Sequence, residues 1–120
     1  MRRRSMPPRA RRVAYLIDAS SACFVPITVV LELEWVLRGA YQLPREAIIR
    51  AIGGLIAIRH LHLEQEEQVL QALEVYGRGL DFADALHLLR SEGCAALVSF
   101  DRAFAGKAGE LALTPAVQQL

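Results

Sequence analysis

At 120 residues and 53% hydrophobic, the chain is long enough to bury one core and too short for two. No apolar run is long enough to span a bilayer, and the amino end lacks the apolar stretch of a secretory signal, so a cytoplasmic protein is expected. Cys23 and Cys94 have neither CxxC spacing nor a His in metal-like register, which leaves them as small core residues of a reduced compartment.

The net charge of +1 conceals an asymmetry. Six arginines and no acid lie in the first twelve residues, whereas the remainder carries eight basic and thirteen acidic residues. Residues 1–9 therefore read as a basic, disordered leader able to contact phosphates, and residues 10–120 as the folded domain. Ala10 to Ala19 has apolar residues at 10, 13, 14, 16 and 17, a helical face, although Val13 to Ile17 followed by Asp18 also suits a strand ending in an acid. Cys23 to Ile27 is a short strand candidate, interrupted by Pro26.

Thr28 can cap a helix running to about Tyr41, apolar nearly all round and so expected to be deeply buried. Glu32 and Glu34 stand out there, because a carboxylate on a buried helix needs a partner. Glu34 has Arg38 at i+4 spacing; Glu32 has no basic residue at helical spacing. Arg45 to Ile56 is a further helix. Arg59 to Leu63 alternates as a half-buried strand, with His60 and His62 on one face. Glu64 to Tyr76 is a helix, Ala103 to Ala108 a short one, and Leu111 to Leu113 a last edge strand stopped by Pro115.

The chain is organised around Leu80 to Phe104, LDFADALHLLRSEGCAALVSFDRAF. Asp81 and Asp84 head an apolar-periodic helix, Gly93 closes it, and a short apolar run, Ala95 to Phe100, leads to Asp101. A helix that returns to start a parallel strand runs antiparallel to it. Its amino terminus therefore lies at the edge where strands end, the edge at which open α/β sheets bind ligands. Asp84 and Asp101 belong on that edge, and Glu32, at the fourth position of its helix, lies close to it. Two carboxylates there suit a hard divalent cation, while Asp81 suits an N-cap and Asp84 also suits the positive helix end without any metal. His87, three residues after Asp84, could bond a carboxylate or serve packing.

Three stretches in order, VLELEWVL (30–37), DFADALH (81–87) and LVSFDRAF (97–104), resemble a PIN domain, most of all the VapC-type toxin ribonucleases of bacterial toxin–antitoxin pairs. The resemblance implies an α/β fold, a three-layer α/β/α arrangement with a parallel sheet. It also implies Mg²⁺- or Mn²⁺-dependent cleavage of RNA phosphodiesters, with Glu32, Asp84 and Asp101 as catalytic and metal-binding residues. RNA as substrate, a cognate antitoxin protein as partner, and a homodimer among its associations follow from the same resemblance, with no membrane involved.

Members of that family begin with a central strand ending in a metal-binding Asp, and the match here starts in the following helix. The chain is thus expected to be truncated at its amino end, short of roughly 15–25 residues for a strand, a loop and a helix start. Asp18-Ala19-Ser20 imitates the missing motif. However, only Ala19 to Ala22 separate Asp18 from Cys23, and a parallel crossover needs about a dozen residues. The leading expectation is an endoribonuclease toxin whose activity depends on that absent acid. The competing one is a non-catalytic toxin remnant that binds antitoxin or dimerises.

Overall fold

The computed structural model describes residues 8–19 and 22–120, the side chain of Asp18 excepted. Within them the elements run α1 (Pro8–Ala19), β1 (Cys23–Val25), α2 (Ile27–Gly39), α3 (Arg45–Ile56), β2 (Leu61–Leu63), α4 (Glu66–Gly77), α5 (Phe82–Leu89), β3 (Ala96–Ser99), α6 (Arg102–Glu110) and β4 (Ala116–Gln119). This is the mixed α/β class with parallel strands that the sequence suggests. Most of the proposed basic leader, residues 1–7, lies outside the described residues.

Both strand pairings are parallel. In one, β1 pairs with β2, Phe24 opposite His62; in the other, β3 pairs with β4, Leu97 opposite Val117. Among the described residues no strand joins the two pairs into one sheet. The core is mainly helical. Ile48 and Ile52 of α3, Val69, Ala72, Leu73 and Tyr76 of α4, and Phe82, Ala85 and Leu86 of α5 are buried together. Spacings of three and four residues bring each set onto one helix face.

One ambiguity resolves and several expectations change. The segment carrying Asp18 is the helix that its apolar face suggests, not a strand ending in an acid, while the orientation of that side chain lies outside the described residues. Helix α2 is not buried all round: Ile27, Val30 and Glu34 face the core, but Val29, Val36 and Trp35 are exposed, Trp35 by 66%. Thr28 does not cap it. Pro26 stands at that position and makes no side-chain cap bond; instead Glu64 Oε1 accepts the Ile27 N–H at 2.8 Å. An acid at the positive helix end is favourable. This role takes Glu64 out of α4, which begins at Glu66 after a left-handed Gln65.

The last strand also moves. Leu111 caps α6 and Ala112 has φ 54°, so Leu111 to Leu113 forms a helix-ending turn, and β4 begins after Pro115. His60 lies in a turn before β2 rather than within it. Cys94 is exposed, and Cys23 only partly buried, because Cys94 falls in the turn ahead of β3 instead of inside it.

Candidate functional site

Two adjoining clefts lie at the amino ends of α5 and α6. The larger, about 720 Å³, is bordered by Asp81, Asp84 and Asp101 together with Arg38, Arg45, Tyr76 and Lys107. The smaller, about 300 Å³, is bordered by Glu32, Glu34 and Trp35. Arg38 and Asp81 border both, so they form the shared wall.

Asp84 and Asp101 reach the large cleft by different routes. Asp81 is the N-cap of α5, its Oδ2 accepting the Asp84 N–H at 3.3 Å, which sets Asp84 in the first turn. Asp101 follows β3 by two residues and caps α6. Its Oδ1 accepts the Phe104 N–H at 3.1 Å, while its own N–H donates to Ser99 Oγ at 3.0 Å. Side-chain caps of this kind satisfy backbone donors that no helical carbonyl can reach.

The electrostatics connect the two acids. Burial pushes the Asp84 carboxyl above its usual value, and the charges of Asp81 and then Asp101 push it further; His87 acts the other way. Neither Asp84 nor Asp101 has an ion-pair partner among the described residues, whose Lys and Arg pairs are Arg38–Glu34 and Lys107–Glu110. Repelling carboxylates without a cation are a donor set that fits a hard divalent ion. Among the described residues no three His, Cys, Asp or Glu side chains are grouped to hold one metal ion. Glu32 is exposed and lies in the adjoining cleft, not on the wall that carries Asp84 and Asp101.

Glu34 is the buried acid of α2, 3% exposed. Its Oε2 accepts from Arg38 Nε at 2.9 Å and from the Tyr76 hydroxyl at 3.0 Å. The pairing with Arg38 is the one its spacing predicts. Burial and the bond to Glu34 push the Tyr76 hydroxyl up to about 12.

Sequence reasoning passed over Arg45, which borders the cleft at the first position of α3. A signal was present: a cation at the positive end of a helix opposes the macrodipole, so some other interaction must hold it there. Gly79 also went unremarked. With φ +115°, it passes so close to Lys107 that a Cβ would stand 2.9 Å from the lysine Cε.

A family model described as PIN domain matches residues 5–110 of the chain. No curated protein and no solved structure matches it.

Proposed function

The chain belongs to the PIN domain family, and from that premise we propose that it is a metal-dependent endoribonuclease of the VapC toxin type. PIN domains are nuclease domains that generally depend on divalent metal. The observation that carries the proposal is the pair Asp84 and Asp101 on one cleft wall, mutually repelling and without a cationic partner among the described residues.

In this reading Asp84 and Asp101 would hold Mg²⁺ or Mn²⁺, and Glu32, on the adjoining cleft, would be the third acid of the set. The ion, when bound, supplies a water of lowered pKa and offsets charge on the phosphate under attack. The protein's part is positioning. Asp81 orients the first turn of α5, and Ser99 with the Phe104 N–H orients Asp101. Asp84, partly buried and raised in pKa, favours a cation more strongly than a solvated carboxylate does.

A melting experiment tests the metal assignment without relying on cleavage. A ligand at about 100 times its Kd stabilises by about 2.7 kcal/mol, which for a domain of this size is on the order of 10 °C. Mg²⁺ or Mn²⁺ should raise the melting temperature on that scale, with EDTA reversing it. Asp84→Asn and Asp101→Asn should each suppress the rise. An equal rise in both variants refutes the site.

A second reading, a toxin remnant that binds an antitoxin or a second copy, is favoured by the apolar face of α2. Val29, Trp35 and Val36 are exposed on the outer side of that helix, with Thr28 and Glu32 between them, and large exposed apolar side chains near one another mark protein contacts. No helix among the described residues is long and apolar enough to cross a membrane. Metal-dependent RNA cleavage abolished by EDTA supports the enzyme; antitoxin binding or dimerisation without cleavage supports the remnant.

A further inference from the structure

We propose that Arg45 and Lys107 form a phosphate subsite on the wall of the large cleft, taking a backbone phosphate of the RNA strand other than the one under attack, an assignment that rests on the nuclease reading above.

The three cations bordering the cleft are not equivalent. Arg38 is committed to the buried Glu34 at 2.9 Å. Arg45 is held differently. Its Nη1 donates to the Tyr76 carbonyl at 2.8 Å and to the Leu80 carbonyl at 2.9 Å, and its guanidinium lies 4.3 Å from the Tyr76 ring centroid. All three contacts are with neutral groups, so they fix the guanidinium without cancelling its charge. Nε and Nη2 have no partner among the described residues, and a guanidinium with free donors is suited to phosphate.

Lys107 adds to the same field. Its Nζ is 3.5 Å from Glu110, an exposed residue of the same helix, in a pair that solvent weakens. Its aliphatic stem passes over Gly79, where any side chain would obstruct it. The amino end of α3, beneath Arg45, contributes further positive potential. One cleft therefore carries acids without an ion-pair partner and cations that are unpaired, as Arg45, or only weakly paired, as Lys107. A polyanion whose reacting phosphate meets a metal at the acids places a neighbouring phosphate within the cleft that the cations border.

The test is the salt dependence of binding by a short, labelled, single-stranded RNA in EDTA, where no cleavage intervenes. Each phosphate contact on a single strand contributes about 0.7 to the slope of log K against log[salt]. Arg45→Gln and Lys107→Gln should each weaken binding, roughly tenfold for the arginine, and reduce the slope by up to about 0.7. Arg45→Lys should keep the slope. Lys107→Gln keeps most of the aliphatic stem of a half-buried side chain and breaks only a solvent-weakened pair with Glu110, so it reports even if Arg45→Gln folds poorly. Wild-type slopes in both Gln variants overturn the subsite, as does a wild-type chain that binds no RNA. Cleavage of the same RNA with Mn²⁺ is measured in parallel. Cleavage with unchanged slopes overturns the subsite alone; lost slope in a chain that never cleaves supports the subsite and overturns the nuclease reading.

Discussion

On the nuclease reading, Asp101→Asn and Asp84→Asn should each lower whatever metal-dependent RNA cleavage the chain retains without the family's first-strand acid, by on the order of 10²-fold or more, because each removes a charge that would help place the ion at the reacting phosphate. The fold should survive both changes. Asn caps a helix about as well as Asp, so the bond from the Phe104 N–H to position 101 is retained. At position 84 the amide removes a charge that burial and then Asp81 and Asp101 disfavour. Since the folded carboxyl binds its proton more tightly than the unfolded one, wild-type stability falls as pH rises through the carboxylate range. Relative to Asp84→Asn, the wild type should therefore be at its weakest near neutrality and recover as the pH falls below the unfolded value. Urea midpoints at neutral and acid pH measure this, and cleavage rates measure the first effect. An Asp101→Asn protein that cleaves at the wild-type rate refutes the assignment.

Tyr76→Ala should cost about 3–5 kcal/mol, against a total stability of roughly 5–15 kcal/mol for a domain. The ring is 2% exposed, meets Phe82 edge-on with centroids 5.6 Å apart, and supports Arg45. Its hydroxyl donates to the buried Glu34. Tyr76→Phe keeps the packing and leaves Glu34 one donor short, at a cost of about 1–3 kcal/mol. The tyrosine also brings alkaline sensitivity. Its stabilising contribution is fully present below the unfolded value near 10 and is lost as the pH rises through about 12. Tyr76→Phe should remove that part of the alkaline transition. Denaturant titrations of both variants decide it; a Tyr76→Ala protein as stable as the wild type would mean that the core does not depend on this ring.

The parts of the site that local rules reach were legible in the sequence. Asp81 as a cap, Asp84 and Asp101 on one cleft, and Glu34 with Arg38 all follow from spacing or chain direction. What joins distant segments was not. Tyr76 lies 42 positions from Glu34 and Glu64 lies 37 from Ile27, and nothing in the local pattern announces either bond. The apolar circumference of α2 suggested burial because hydropathy cannot tell a packed face from an uncovered one. The Leu111–Leu113 run looked like a strand because its alternation carries no sign of the left-handed backbone at Ala112.

Among the described residues, the division of the strands into two pairs has a consequence for when the site exists. A two-stranded ribbon is marginal in water on its own, and local regions open at free energies well below that of global unfolding. Asp101 follows β3, in one such ribbon, whereas Asp84 stands on α5 among the most deeply buried side chains. The two acids are thus expected to sit in parts of the molecule that open at different free energies. Amide exchange should be faster in β3 and β4 than in α4 and α5. As the temperature rises the cleft should lose Asp101 while the helical core still holds Asp84, so cleavage should fail several degrees before the protein melts.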